Sequence, residues 1–111
     1  MPILNDRVSK HTFLQPMLAD PYFPKHLVAK GQELLRQLAE RIEREAPKGE
    51  AVYALTQATA EAFNQLQDEF LQAGSEIETA AREAIGGDVE FILHAYGYNV
   101  DIETAIGNRD W

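Results

Sequence analysis

Between Pro24 and Pro47 the apolar residues recur at intervals of three and four, which is the spacing of one face of an α-helix. Proline is tolerated at the start of a helix but not in its interior, so the two prolines bound the helical segment. The pattern predicts a helix from Lys25 to about Ala46, which Pro47-Lys48-Gly49 ends. Its apolar face consists of Leu27, Gly31, Leu34, Leu35, Leu38 and Ile42.

A second long helix is predicted from Glu50 to Ala73, and Gly74 is a natural end for it. Its apolar stripe is wide and rich in small residues, which implies neighbours on more than one side. Gly31 has no side chain and lies on the apolar face of the first helix, so we expect another helix to cross closely there. The stripe consists of Val52, Leu55, Ala58, Thr59, Ala62, Phe63, Leu66 and Phe70.

Shorter helices are predicted in the last third of the chain. Ser75 and Glu78 have the spacing of a capping box, so a third helix is expected to begin at Ser75. Gly86 and Gly87 are expected to end this helix, and Asp88 is expected to cap a fourth. The fourth helix is predicted over Val89–Tyr96, and a last one over Ile102–Ile106 with Asp101 as its N-cap.

The sequence therefore predicts an all-α fold with one domain over residues 1–111. We expect two long antiparallel helices with about three shorter helices packed across them. Residues 1–19 are less regular, with a short helix predicted around Pro16 to Ala19, and residues 108–111 form a C-terminal tail. No segment alternates with the period of two that is typical of a strand.

The negative charge is concentrated in the second half of the chain. Residues 1–60 contain eight Lys and Arg against seven Asp and Glu, whereas residues 61–111 contain two against eleven. Such a field repels nucleic acids and anionic lipid surfaces and favours a basic protein partner. The alternative is that the charge only keeps the protein soluble.

Several classes of chemistry have no signature in this sequence. The chain has no cysteine, which removes disulfides, thiolate metal sites and cysteine nucleophiles. It has neither a Gly-x-Ser-x-Gly motif nor a phosphate-binding glycine loop, so we expect no cofactor and favour a non-enzymatic protein. No window is apolar enough for a membrane span, and we expect a cytoplasmic protein.

Histidines provide one weak candidate for a metal site. Glu90 and His94 lie one helical turn apart and could share a metal ion, but a second pair of ligands is missing from the pattern. We therefore expect no metal, and a simple contact between these two side chains. Whether His11, His26 and His94 meet in the fold is left open by the sequence.

A polar group interrupts the apolar stripe of the second long helix. Asn64 and Asp68 lie beside Phe63 and Phe70, and a buried polar side chain must find partners. Together with Glu76 they are candidates for a polar binding pocket. Two further candidate binding residues, Glu83 and Trp111, belong to the acidic half and to the tail. Arg109 could meet the acidic third helix while Trp111 covers apolar surface.

Scattered segments from Leu18 to Trp111 resemble a family of small bacterial helical proteins that carries only a domain-of-unknown-function label. The resemblance implies a bacterial protein and no activity or catalytic residue. The matching segments are Tyr22-Phe23-Pro24-Lys25, Phe63-Asn64-Gln65-Leu66-Gln67-Asp68-Glu69-Phe70, Ser75-Glu76-Ile77-Glu78-Thr79-Ala80-Ala81-Arg82-Glu83, Glu90-Phe91-Ile92, Ala95-Tyr96-Gly97, Val100-Asp101-Ile102-Glu103 and Arg109-Asp110-Trp111.

Three functional hypotheses follow. The first is a regulatory or immunity-like interaction module that binds a basic protein through its acidic C-terminal half. The second is a small enzyme or ligand-binding protein with a polar pocket near Asn64, Asp68 and Glu76. The third is a structural homodimer in which the long helices complete their burial against a second copy; the first hypothesis allows a monomer.

Overall fold

The structure, a computed structural model, describes residues 3–111, and these residues contain helices and no strand. The all-α prediction is therefore confirmed. None of the helices described is both long and apolar enough to cross a membrane. The helices are α1 (Asp6–Lys10), α2 (Gln15–Leu18), α3 (Lys25–Glu45), α4 (Tyr53–Gln72), α5 (Thr79–Ala95) and α6 (Ile102–Ala105), with a 3₁₀ turn over Gly49–Val52 before α4.

Helices α3 and α4 form the centre of the fold and run antiparallel, as predicted. Lys30 near the start of α3 pairs with Glu69 near the end of α4. Gly31 lies at their crossing: a Cβ atom there would lie 2.8 Å from Leu14 Cδ1 and 3.1 Å from Phe63 Cε1. Any larger residue would force these two side chains to shift, so the predicted close crossing is confirmed.

Helix α5 is continuous through Gly86 and Gly87, so the prediction of two separate helices was wrong. Neither glycine has a positive φ angle, the conformation in which glycine ends a helix. Ile85 and Val89 flank the pair and are both fully buried. Burial of this face against the rest of the fold outweighs the low helix propensity of the glycines.

The predicted capping box at the start of α5 does not form. Ser75 is buried and its Oγ atom has no hydrogen-bond partner among residues 3–111. Glu78 occupies the N-cap position instead and makes no side-chain capping bond. The predicted cap of α6 is confirmed, because Asp101 Oδ2 accepts a hydrogen bond of 3.0 Å from the Thr104 backbone N–H.

The N-terminal segment is held to α5 by Asp88, which was wrongly predicted to be a helix cap. Asp88 lies inside α5, where its carboxylate accepts a 2.7 Å hydrogen bond from the Leu14 backbone N–H. The same carboxylate lies 2.8 Å from His11 Nε2. Asn5 caps α1, a helix that the sequence pattern did not predict, by accepting a hydrogen bond from the Val8 N–H. Residues 1 and 2 of the predicted N-terminal segment lie outside the described part.

Two glycine substitutions should have opposite effects on stability. A Cβ atom at Gly87 would meet nothing within 4 Å, so Gly87→Ala should raise the free energy of unfolding by about 0.5–1 kcal/mol through helix propensity. Gly31→Ala should lower it by about 1–3 kcal/mol because the methyl group overpacks the crossing. Urea denaturation of both variants and the wild type tests the pair; equal effects would contradict this account of the two sites.

Candidate functional site

The side chain of Asn64 is committed to the C-terminal tail. Its Nδ2 atom donates to the Asn108 carbonyl oxygen at 3.0 Å, and its Oδ1 atom accepts from the Asp110 backbone N–H at 2.8 Å. Nδ2 also lies 3.1 Å from a carboxylate oxygen of Glu61. Asn64, the polar residue in the apolar stripe of α4, thus anchors residues 108–111.

Trp111 also holds the C-terminal tail against α4. The indole is only 7% exposed, and its ring meets Phe63 edge-to-face with 5.9 Å between the ring centroids. The guanidinium of Arg109 lies over the indole, 5.9 Å from its centroid. Arg109 pairs with Glu103 of α6 at 3.4 Å and not with α5, where its partner was expected. Docking of the tail through Trp111 therefore agrees with the expected arrangement.

The other two residues of the predicted polar pocket do not join Asn64. Asp68 and Glu76 are exposed, and no hydrogen bond or ion pair within residues 3–111 links either of them to Asn64. Both ends of the Asn64 amide are already engaged within the chain. The pocket stays a prediction, and the geometry gives it no support.

The acidic residues of the two halves differ in how they are neutralised. On α3, Glu33 and Glu40 both pair with Arg36, and Glu45 pairs with Arg41 at 2.9 Å. In the second half most carboxylates form no ion pair within the described residues. In this half, the acidic residues without an ion pair within residues 3–111 are Glu61, Asp68, Glu76, Glu78, Glu83, Glu90, Asp101 and Asp110.

A groove of ≈270 Å³ lies between α5 and α6 in this acidic half. Gly86, Gly87, Ile102 and Ile106 line it with apolar surface. We call this the glycine groove.

Three glutamates and two arginines form the charged lining of the glycine groove. Glu83 and Glu90 are exposed at its edge, together with Glu103 of α6. Two arginines also line it, but Arg109 is engaged with Glu103, whereas Arg82 has no ion-pair partner within residues 3–111. The groove thus presents two glutamates and one arginine that have no ion-pair partner within residues 3–111, beside a stretch of helix without side chains.

Within residues 3–111, no hydrogen bond or ring contact joins any two of the three histidines. His11 lies on the ring of Phe91, with 4.0 Å between the centroids, and is hydrogen-bonded to Asp88. His26 and His94 are exposed, and the expected contact between Glu90 and His94 is absent from the hydrogen bonds and ion pairs of the described chain. No group of three His, Asp or Glu side chains that could hold a metal ion occurs in residues 3–111.

Sequence reasoning missed a polar cluster around Glu43. Its carboxylate accepts hydrogen bonds from the backbone N–H groups of Leu4 at 3.0 Å and Asn5 at 2.9 Å, and from the Tyr96 hydroxyl. Burial alone would raise the pKa of Glu43, but these hydrogen bonds prevail and lower it. Burial and the neighbouring carboxylate raise the pKa of Tyr96.

No local signal in the sequence marks Glu43. It lies among the charged residues of α3, and its partners are 39, 38 and 53 positions away in the chain. Its hydrogen bonds fasten the start of the described chain to α3 and to the end of α5.

Removal of the Asn64 amide should release the tail. Asn64→Ala deprives the Asn108 carbonyl and the Asp110 N–H of their partners, and we expect a loss of about 1–3 kcal/mol in the free energy of unfolding. Because the chain has a single tryptophan, its fluorescence reports on the tail directly, and the emission of the folded variant should shift to longer wavelength. The exposed neighbour provides a control, Gln65→Ala. Unchanged tryptophan emission in Asn64→Ala would refute the role of Asn64 in holding the tail.

Acid should remove the contribution of Glu43 to stability. Its pKa in the folded protein is below the ordinary value of 4.5, so this contribution is complete above that pH and is lost as the pH falls through the folded-state pKa. The difference in free energy of unfolding between wild type and Glu43→Gln should therefore be larger at about pH 7 than at about pH 3. Chemical denaturation at both pH values tests this; an equal difference would exclude a role for the carboxylate charge.

Comparison with known proteins gives a family and no function. No curated protein and no solved structure matches the chain significantly. One family model does match, over residues 7–111, and it is described as a family of unknown function. The match covers α1 to α6 and the tail, which confirms the resemblance to a domain of unknown function. The chain therefore belongs to the family of unknown function DUF5713.

Proposed function

We propose that this protein is a non-enzymatic interaction module of the bacterial cytoplasm, regulatory or immunity-like, that binds a basic protein partner through its acidic C-terminal half. One observation carries the proposal. Most exposed carboxylates of this half, Glu83 and Glu90 among them, form no ion pair within residues 3–111, whereas Glu33, Glu40 and Glu45 of α3 are paired with arginines.

The unpaired carboxylates support recognition on electrostatic grounds. Like charges on one surface repel one another, and a cationic partner relieves this repulsion. The attraction acts over roughly 8–10 Å at physiological salt, which is enough to accelerate encounter with a positively charged surface. Carboxylates already held by Arg36 and Arg41 have less to gain from a partner, so the second half is the favoured surface.

The use of the polar residues supports a non-enzymatic role. Asn64 binds the tail, Asp88 binds the N-terminal segment, and Glu43 binds the backbone of Leu4 and Asn5. These three are among the buried or half-buried polar groups from which a catalytic centre would have to be built. Each has a sufficient structural role in holding one part of the chain to another.

A charge reversal on the acidic half should greatly reduce partner capture, while a matched reversal elsewhere should not. Glu83→Lys places a cation beside the glycine groove, and Glu50→Lys makes the same change at an exposed, unpaired glutamate of the N-terminal half. With immobilised protein and bacterial lysate, we expect the wild type and Glu50→Lys to retain the same basic proteins at low salt. Glu83→Lys should retain about tenfold less of them.

Mass spectrometry of the retained proteins, at low and at high salt, provides the measurement. Circular dichroism of both variants checks that each remains folded. The proposal fails if the two variants retain the same proteins in equal amounts, or if the retained proteins are not basic and salt does not release them.

A further inference from the structure

Helix α5 contains two glycines that the fold of the single chain does not require. A Cβ atom at Gly87 would meet nothing within 4 Å, and one at Gly86 would make only an ordinary contact of 3.7 Å with Ile106 Cδ1. Glycine inside a helix destabilises it relative to alanine. The empty volume above this stretch of backbone is therefore accessible to something outside the chain.

Gly31 shows what a glycine inside a helix permits when neighbouring side chains occupy the space beside it. At Gly31 on α3, the side chains of Leu14, which precedes α2, and Phe63 of α4 approach to 2.8 Å and 3.1 Å of the position that a Cβ atom would take. A glycine on the contact face allows another helix to cross closely. Gly87 of α5 is exposed and no described atom lies within 4 Å of its Cβ position, while Gly86 beside it meets only Ile106.

The glutamates on both sides of the glycines share their face of the helix. Glu83, Gly86, Gly87 and Glu90 follow one another at intervals of three, one and three, which is a single stripe along α5. The two carboxylates are separated by two turns, about 10 Å along the helix axis. The stripe is therefore apolar and open at its centre and negatively charged at both ends.

From this stripe we infer that the glycine groove is the docking site for an α-helix of the basic partner, with cationic side chains at positions i and i+7 and a small residue between them. The inference rests on the proposed function and assigns it a location. Lysine or arginine at that spacing would meet Glu83 and Glu90, while the small residue would lie over Gly86 and Gly87. Ile102 of α6 would contact one side of the docked helix.

Arg82 repels a cationic side chain that approaches the same groove. It lines the groove and has no ion-pair partner within the described chain, so it reduces the negative potential near Glu83. Replacement of this arginine by a neutral residue should strengthen binding of the cationic helix. Arg82→Gln therefore serves as a variant with the opposite expected sign.

A designed peptide can test the geometry without knowledge of the natural partner. The probe is an amidated, alanine-rich helical peptide with arginines at i and i+7, titrated at low salt into isotopically labelled protein. The control peptide has the same composition with arginines at i and i+5, which face nearly opposite sides of a helix. We expect the probe to shift the backbone amide signals of Gly86 and Gly87 and to bind about tenfold more tightly than the control.

Protein variants distinguish binding in the groove from general electrostatic attraction to the acidic half. Gly87→Leu fills the open volume without a change in charge and should weaken binding about tenfold while leaving Tm equal to or above that of the wild type. Ala54→Leu places the same leucine side chain at an exposed position of α4, away from the groove, and should bind normally. Glu83→Gln with Glu90→Gln should also weaken binding, and Arg82→Gln should strengthen it.

The outcomes distinguish the groove from the acidic half as a whole. If the peptide shifts amides around Asp68 and Glu76 instead, or if Gly87→Leu binds as tightly as the wild type, the groove is excluded and the proposed function stands. Equal binding of the two peptides also excludes the predicted spacing. If neither peptide produces shifts and the lysate capture yields no basic protein, both the groove and the proposed function are wrong.

Discussion

The close approach of α3 and α4 at Gly31 is the contact on which the rest of the molecule depends. The missing side chain leaves room for Phe63 of α4, and Leu14 from the N-terminal segment reaches the same point. Three parts of the chain thus meet around one Cα atom. The α3 and α4 pair provides the surface that buries one side of the tail, through Phe63 and Asn64. A larger side chain at this position would separate all of them.

Local patterns predicted the parts of the fold that depend on local physics. The intervals of three and four on α3 and the position of Gly31 gave the long helices and their crossing, and Asp101 gave the cap of α6. The continuity of α5 was not predictable in this way. Gly86 and Gly87 resemble a helix end, and only the burial of the residues on either side of them carries the helix through.

The candidate site was predictable only in part. Asn64 was recognised as a polar group in need of partners, but its partners are in the tail and not in a pocket. The carboxylates of Glu43 and Asp88 bind groups more than 35 positions away, and no periodicity or motif encodes such pairings. The uneven distribution of charge along the chain was visible in the sequence. That most carboxylates of the second half have no ion-pair partner could be seen only from the positions of the side chains.

The attachment of the N-terminal segment to Asp88 imposes an order on assembly during synthesis. His11 and the Leu14 N–H bind a carboxylate that lies 77 and 74 positions further along the chain. Translation must pass α5 before this contact can form, while α3 and α4 are already available to pair with each other. The part of the described chain that leaves the ribosome first is therefore among the last to reach its place, and until then His11 and the Leu14 N–H lack their partner on α5.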